Sequence, residues 1–291
     1  MWFNNALIYQ TNLSDFATLE DNLQQDILKP CPPHARFIYG WSPVFAESLV
    51  HTVAGSVLIC LGKEERILPS AVIQKMLAEK IQKLEAEQGF SVKRAEKAQM
   101  AEDLEFDLLP KSFCIQKRLY AMFDTTNQQL IINTASSTQA GQLLALLRKS
   151  VPGLTIEPLR LQDNLAKQFS HWVQEPQKLP ADFQLASDCL LYDQDNEKKR
   201  VHCKEYELPA EEITNFITQG MALAELSLIW QERIQFTLSQ DFVLKKIKCL
   251  DYLITQWEEI KKLDELAAQQ DASLSLVSGE LRQLSQALMS I

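Results

Sequence analysis

Hydrophobic and polar positions alternate near the start of the chain, and this pattern predicts strands around a short helix. Residues 3–9 alternate between two faces, as in a strand. Ser14 is then expected to cap a helix that runs to about Leu28. The continuous apolar run 56–61 predicts a further strand that is buried on both of its faces.

The spacing of apolar residues changes after Ser70 and predicts a helical hairpin. Apolar residues fall three or four positions apart on one stripe, at Ile73, Leu77, Ile81 and Leu84. Gly89 is expected to end this helix, whose length over Ala71–Gln88 is about 27 Å. The highly charged residues 91–109 predict a second helix that ends before Pro110. Two helices joined by a short turn indicate a hairpin that projects from the sheet body.

The later part of the chain again mixes strand and helix patterns. Residues 115–123 and 130–132 predict two strands, and an amphipathic helix follows around 143–149. The clearest β-hairpin joins residues 234–239 to residues 242–248. Further helices are predicted at 208–220, near 250–270 and at 279–290.

These elements predict a mixed α+β fold that is built from several packed units. The first unit is a central α+β sheet region formed by residues 1–68 and 113–165. Residues 69–112 form a projecting helical hairpin with a finger, and residues 166–291 form a C-terminal α+β region with the basic hairpin and the closing helices. A chain of 291 residues with 46% hydrophobic residues is long enough for such units.

Cysteine usage and the lack of targeting segments predict a cytoplasmic protein. The six cysteines are scattered without a C-x-x-C pair, which is typical of reduced core thiols. The first residues lack the basic flank and the apolar stretch of a signal peptide, and no apolar segment reaches a membrane-spanning length. We therefore expect no association with a membrane.

The sequence carries no pattern that requires a cofactor, a metal or a catalytic residue. With only 8 glycines, it has no glycine-rich loop that could cradle phosphate. Its histidines lie far apart, and the adjacent His202 and Cys203 would point to opposite faces of a strand. Glu64 and Glu65 could be read as nuclease ligands, but the mixed charges of residues 63–66 favour a solvated turn. We expect a protein that is not an enzyme and binds neither cofactor nor metal.

The net charge of −9 argues against nucleic acid unless the positive charge is segregated onto one surface. A first basic cluster lies in the C-terminal hairpin. There Lys246 and Lys248 are expected to share a strand face with Leu244, next to Lys245, and Arg233 on the preceding strand could join that face.

A second basic cluster, Lys111, Lys117 and Arg118, surrounds Phe113. An apolar ring among cations suits contact with bases, because stacking adds affinity that charge alone does not supply. Taken alone, however, both clusters are more typical of solvated strand faces, and Phe113 is more typical of a buried core. From spacing alone, DNA binding is a minority hypothesis.

Several co-linear segments carry a resemblance to a known family. The main run extends over 63–70 and continues over 80–87. Further segments are found at 2–3, 108–113, 144–150, 211–215 and 230–236. Together they closely resemble the RdgC family of recombination-associated proteins along nearly the whole chain.

The resemblance implies an architecture and an activity. It implies a horseshoe-shaped α+β subunit that pairs with its twin as a homodimer and closes a ring around duplex DNA. It implies that the protein has no catalytic activity. It also implies that the protein restrains RecA-mediated recombination by occupying the DNA. A nucleoid-associated location in the cytoplasm follows from these implications.

The resemblance also bears on individual residues. Phe113 matches the aromatic residue of the family's projecting finger, which is implicated in engaging DNA. Lys204 lies in the segment implicated at the gate of the ring, where a relative carries Lys-Lys-Gln. This chain has Glu205 in place of the second lysine, so the sequence leaves the role of that position open. The candidate DNA-binding residues are Lys111, Phe113, Lys117, Arg118, Arg148, Lys149, Lys204, Arg233, Lys245, Lys246 and Lys248.

The expected function is sequence-independent binding of double-stranded DNA, with single-stranded DNA as a second expected partner. The alternative is a protein–protein interaction module that acts directly on the recombinase and contacts DNA only incidentally. An enzyme is the third and most distant interpretation.

Overall fold

The computed structural model describes residues 2–159, 164–196 and 198–291. Within these ranges the chain forms twelve β-strands and eight α-helices, which confirms the predicted mixed α+β class. The strands belong to two sheets, and neighbouring strands in both sheets run antiparallel.

The first sheet contains seven strands. They are β1 (Leu7–Thr11), β2 (Phe37–Trp41), β3 (His51–Val53), β4 (Ser56–Ile67), β5 (Phe113–Asp124), β6 (Gln129–Ile132) and β7 (Ile156–Pro158). Their order is β2-β4-β5-β6-β1-β7, and β3 pairs with β4. Strands β4 and β5 pair along their whole length, so this sheet extends as far as the pair formed by Ile67 and Phe113.

Two helices, α1 (Leu19–Gln24) and α4 (Ser137–Ser150), cover one face of the first sheet. Leu23 of α1 and Leu143 and Leu147 of α4 pack with Ile59 and Phe123 in a buried core. Burying one such side chain contributes about 1.5–3 kcal/mol, so this apolar contact fixes both helices on the sheet.

A helical hairpin, α2 (Ser70–Gln88) and α3 (Arg94–Leu108), is inserted between β4 and β5. The predicted stripe on α2 is confirmed, because its members are half-buried while most other positions of the helix are exposed: Ile73, Leu77, Ile81 and Leu84. Gly89 ends α2 as predicted, with a left-handed backbone (φ +75°) that glycine adopts without a steric penalty.

Arg66, near the end of β4, joins this hairpin to the sheet. Its guanidinium donates to the backbone carbonyl oxygens of Cys31, Pro32, Leu109 and Ser112 at 3.1–3.3 Å. One side chain therefore bonds the loop before β2 and the residues that connect α3 to β5.

The second sheet contains five strands. They are β8 (Phe183–Asp193), β9 (Arg200–Cys203), β10 (Met221–Trp230), β11 (Ile234–Ser239) and β12 (Leu244–Cys249), in the order β12-β11-β10-β8-β9. Four helices contribute to the core beside it: α5 (Leu165–Gln174), α6 (Glu211–Thr218), α7 (Asp251–Lys261) and α8 (Leu266–Met289).

Contacts from both ends of the chain join the two sheets. The N–H and C=O groups of Ala6 bond those of Leu244 in β12, at 2.8 and 3.0 Å. Helix α8 packs against both sheets, and Arg282 Nε lies 2.8 Å from Asp124 Oδ1 at the end of β5. The second sheet is thus held by the segment that precedes β1 as well as by α8.

Three predicted boundaries are wrong for identifiable reasons. The first strand starts at Leu7, because the residues before it pair with β12 instead. The first helix starts at Leu19 and not at Ser14, because Asp15 Oδ1 accepts a bond from Ala17 N and forms a local turn. The strand predicted at 56–61 extends to Ile67, because every one of its residues has a partner in β5.

Candidate nucleic-acid interface

The second sheet has one apolar face and one polar face. Leu226 and Leu238 pair on the apolar face, which is packed in the core with the helices. The next pair along the same strands, Ser227 and Thr237, lies on the opposite face, because successive residues of a strand alternate. We call this second surface the polar sheet face.

Basic residues collect on the polar sheet face from strands at both of its edges. A small depression there is lined by Lys204, Lys246, Asp188 and Glu225 among other residues. A neighbouring depression of about 210 Å³ is lined by Arg200, Lys245, Glu225 and Asp241 among others. The fold therefore brings Lys204 and Arg200, at one edge, to the same surface as Lys245 and Lys246 at the other.

The prediction that Lys246 and Lys248 share a face with Leu244 is wrong. Thr237 pairs with Lys245 and Gln235 pairs with Lys248, so two residues of β12 oppose a single residue of β11. This β-bulge is centred on Lys246, which has φ +51° and whose N–H bonds Asn5 Oδ1. The extra residue puts Lys248 on the polar sheet face with Lys245, while Leu244 remains buried in the core.

Carboxylates partly neutralise these cations. Lys245 Nζ lies 2.7 Å from Glu225 Oε1, and Lys246 Nζ lies 3.7 Å from Asp188 Oδ2. Among the described residues, Lys204 and Lys248 have no carboxylate within ion-pair distance, and both are exposed. These two ammonium groups are therefore the most available to an anion.

Arg233 does not join the polar sheet face. Its guanidinium bonds the carboxylate of Glu280 on α8 and lies 4.8 Å from the ring centre of Tyr252. Burial raises the pKa of Glu280 although Arg233 opposes this shift, because the pair lies mostly out of water. Arg233 is thus engaged in packing between α8 and the second sheet.

The far end of β4 and β5 forms a second candidate surface. Phe113, the first residue of β5, is 85% exposed, and its strand partner Ile67 and the nearby Ile115 are also exposed. Lys111 lies beside them in a short 3₁₀ helix and is exposed. The expectation of a buried Phe113 from composition is therefore wrong, because β5 begins beyond the helices that cover the sheet.

Charges farther along β5 are already paired. Lys117 Nζ lies 2.8 Å and Lys63 Nζ 3.2 Å from Glu65 Oε2, and these hydrogen bonds hold the pKa of Glu65 below its usual value. The guanidinium of Arg118 donates to the carbonyl oxygen of Pro43. Both side chains would have to exchange a protein partner for phosphate.

The mixed charges of residues 63–66 predicted a solvated turn around the acidic pair Glu64 and Glu65, and this prediction is wrong. Both residues are inside β4, where Glu64 pairs with Gln116 and Glu65 pairs with Ile115. Adjacent strand residues point to opposite faces, so the two carboxylates diverge. Glu65 neutralises lysines on its own face.

Arg148 and Lys149 lie at the end of α4, away from the second sheet. Arg148 Nη2 donates to the carbonyl oxygen of Ile156 at 3.1 Å, and Lys149 pairs with Asp26. Both contacts belong to the packing of α4 against β7 and the segment after α1. The structure does not bring these two cations to the polar sheet face.

Two residues of the polar sheet face were not among the residues predicted from the sequence. Arg200 and His202 lie on β9 and are exposed. Their signal was present, because Arg200, His202 and Lys204 recur at every second position, which is the spacing of one strand face. The short strand had no apolar alternation strong enough to be recognised.

Among the described residues, no three side chains of His, Cys, Asp or Glu group closely enough to hold a metal ion. No helix formed by the described residues is long and apolar enough to cross a membrane.

Comparison with known proteins places the chain in a family. The family model described as "Putative exonuclease, RdgC" matches residues 1–291. Proteins named Recombination-associated protein RdgC are similar over nearly their full length. The one from Proteus mirabilis (strain HI4320) is 35% identical, covering 98% of this chain and 95% of the relative. That of Psychromonas ingrahamii is 32% identical over 99% and 97%, and that of Salmonella paratyphi B is 34% identical over 99% and 97%.

By its fold and its relatives, the chain is an α+β protein of the recombination-associated class. It belongs to the RdgC family, as the sequence resemblance predicted. The family description mentions an exonuclease, whereas the names of the relatives give an association with recombination and no enzymatic activity.

Proposed function

We propose that the chain binds duplex DNA without reading its sequence, closes around it as a homodimeric ring of two horseshoe-shaped subunits, and so restrains RecA-mediated recombination. The observation that carries this proposal is the polar sheet face. A chain with a net charge of −9 gathers Arg200, Lys204, Lys245, Lys246 and Lys248 on one surface. Membership of a recombination-associated family points the same way.

The charge balance of this surface supports a polyanion and not a specific base sequence. Among the described residues, the two depressions are lined by four lysines and arginines and three carboxylates, and Lys248 lies on the same face, so the local balance is less acidic than that of the whole chain. Flexible lysines bind phosphate as point charges and carry no sequence information directly. Phe113, at the start of β5, adds an exposed ring for stacking, which would also serve single-stranded DNA.

The test is the salt dependence of DNA binding by a double variant, Lys204→Ala with Lys248→Ala. Each neutralised phosphate contributes about 0.9 to the slope of log affinity against log salt, so the slope should fall by up to about 1.8. The matched control is Lys178→Ala with Lys262→Ala, which changes the net charge equally at two exposed surface pairs. An unchanged slope in the first variant would remove the polar sheet face from the interface.

The proposed ring is tested by comparing binding to circular and to linear DNA. A closed dimer loaded on covalently closed circular duplex should remain bound when the salt is raised, whereas it should slide off a linear duplex of the same sequence. Light scattering should give the mass of two chains. Equal loss from both DNA forms, or a monomer in solution, contradicts encirclement.

Restraint of recombination is tested in RecA-driven strand exchange. The wild type should slow the reaction, and the variant of Lys204 and Lys248 should slow it less at equal protein concentration. Capture of RecA by this protein in nuclease-treated extract would instead favour the alternative, direct action on the recombinase. A nucleoid location is expected only if DNA binding holds.

The word exonuclease in the family description makes nuclease activity a second candidate. Glu64 and Glu65 diverge on opposite faces of β4, and Glu65 is bonded to two lysines, so this pair is poorly arranged to share a metal ion. We propose that the protein is not an enzyme. Linear duplex DNA should stay intact in the presence of the protein and Mg²⁺, and degradation that disappears in Glu65→Gln would reverse this conclusion.

A further inference from the structure

Two buried cysteines face each other across neighbouring strands of the second sheet. Cys189 of β8 pairs directly with Cys203 of β9, and both are free thiols on residues that are 5% and 8% exposed. The Cα atoms of residues that pair in antiparallel strands lie about 4.5 or 5.5 Å apart. A disulfide needs a Cα separation of about 4.4–6.8 Å, so the backbone already holds these two residues within reach of a covalent bond.

The two thiols also interact with each other. Burial, together with the neighbouring thiol of Cys203, raises the pKa of Cys189 to about 12. The other cysteines that lie in strands have partners of other types: Tyr120 for Cys60, Arg66 for Cys114 and Ile234 for Cys249. Direct pairing with a second thiol therefore distinguishes Cys189 and Cys203 from these cysteines.

The position of β9 gives an oxidant a route to these buried thiols. This strand has four residues and lies at the end of the strand order, so among the described strands it pairs with β8 and no other. Short elements at the edge of a fold open locally at a lower free energy than global unfolding requires. When β9 opens, both thiols reach water, where the pKa of a thiol is about 8.5 and the reactive thiolate can form. While β9 is closed, burial keeps both thiols protonated and unreactive.

We propose that Cys189 and Cys203 are a site of reversible oxidation, at which hydrogen peroxide converts the two thiols into a cross-strand disulfide that fixes β9 to the sheet. The thiolate of one cysteine attacks a peroxide oxygen. An S–O bond forms, the O–O bond breaks, and the departing hydroxide takes up a proton and leaves as water. The thiolate of the other cysteine then attacks the sulfur of this sulfenic acid, so that the S–S bond forms, the S–O bond breaks and a second water leaves.

The chemistry balances over these two steps. The two thiols together lose two electrons and two protons, and one molecule of peroxide is reduced to two of water. A thiol reductant reverses the change by exchange with the disulfide. The reaction does not involve DNA, so its failure would leave the proposed function untouched.

The test is peptide mapping by mass spectrometry of the full-length protein after treatment with hydrogen peroxide in native buffer. Remaining free thiols are blocked with N-ethylmaleimide before digestion. Trypsin cuts at Lys198 and Arg200, between the two cysteines, so the disulfide should join peptides 179–198 and 201–204 into one species that a thiol reductant separates. The proposal is overturned if both cysteines are recovered with N-ethylmaleimide attached while the exposed Cys114 is oxidised, or if either one is linked to a different cysteine.

Two variants make the assignment specific. Cys203→Ser should leave Cys189 without a disulfide, and a link from Cys189 to another thiol in this variant would contradict the pairing. The matched control is Cys114→Ser, which removes an exposed cysteine whose strand partner is Arg66 and should leave the yield of the linked species unchanged. Loss of the link in this control would contradict direct oxidation of the buried pair. The map of the wild type decides the proposal even if Cys203→Ser does not fold.

Hydrogen exchange tests whether the link fixes β9. In the oxidised protein the amides of β9 should exchange about tenfold more slowly than in the reduced protein, because the disulfide closes the short loop between β8 and β9 and restrains the opened strand. The amides of α4, which packs on the other sheet, should exchange equally in both forms. Unchanged exchange in β9 of the linked protein would contradict the proposed effect on this strand.

Discussion

Replacing Glu280 with alanine should destabilise the protein by removing the counterion of Arg233. The two side chains form an ion pair between α8 and the residue that precedes β11, with Tyr252 beneath the guanidinium. The side chain of Glu280 is 4% exposed and that of Arg233 is 27% exposed. The alanine variant therefore leaves a guanidinium largely out of water without a partner.

The magnitude follows from how much of that charge stays buried. Breaking a buried pair on one side costs about 3–5 kcal/mol when the remaining charge is uncompensated. Arg233 keeps some contact with water and lies over the ring of Tyr252, an interaction of about 0.5–2 kcal/mol. We expect Glu280→Ala to lower the free energy of unfolding by about 2–3 kcal/mol. The double variant Arg233→Met with Glu280→Leu should be less destabilised, since it strands no charge.

Urea denaturation followed by circular dichroism measures these differences. Glu258→Ala is the control, because this residue forms a solvent-exposed pair with Lys261 one turn away and should leave the stability close to that of the wild type. The reasoning is refuted if Glu280→Ala matches the wild type. It is also refuted if the double variant is less stable than the single one.

Three further predictions concern stability and use the same urea assay. Burial raises the pKa of Glu280 above its ordinary 4.5. The contribution of Glu280 to the free energy of unfolding is therefore greatest below that pH, and it is lost as the pH rises through the folded-state pKa. Relative to Glu280→Gln, the wild type should therefore lose stability from pH 4.5 to neutral pH, and parallel curves would contradict this. Arg66→Met should lower the free energy of unfolding by about 2–4 kcal/mol, because several backbone carbonyl oxygens lose a charged donor. Arg36→Ala, which removes an exposed ion pair, should lower it by less than about 1 kcal/mol. Gly89→Ala should lower the free energy of unfolding by about 1–2 kcal/mol, because alanine is strained in the left-handed backbone of this position. Gly141→Ala, in the middle of α4 with open space around it, should raise the free energy of unfolding by about 0.5–1 kcal/mol. Similar effects at both glycines would contradict the backbone argument.

The sequence predicted best those elements whose form depends on nearby residues. The stripe from Ile73 to Leu84 and the stop at Gly89 lie within one helix, so spacing was sufficient. The hairpin of β11 and β12 was predicted for the same reason. The start of β1 was not, because the residues before Leu7 pair with β12 near the other end of the chain. Nothing in the local sequence identifies that partner.

The candidate site shows the same division. The lysines of β12 were chosen from the sequence on charge, but the face of each lysine depends on the bulge at Lys246. That bulge is supported by Asn5, which lies in a distant segment. The exposure of Phe113 likewise depends on where α1 and α4 stop covering the sheet, and composition favoured the opposite outcome. Tertiary pairing decided both positions.

If the polar sheet face binds DNA as proposed, its carboxylates limit how strongly it can do so. Glu225 and Asp188 lie beside Lys245 and Lys246, so phosphate must displace ion pairs that are worth up to about 1 kcal/mol each. Lys204 and Lys248 have no such competition among the described residues, and phosphate gains most there. A surface of this kind binds weakly at each position and is screened strongly by salt. Affinity must then come from many contacts along a polymer, which favours a protein that surrounds DNA over one that recognises a single site.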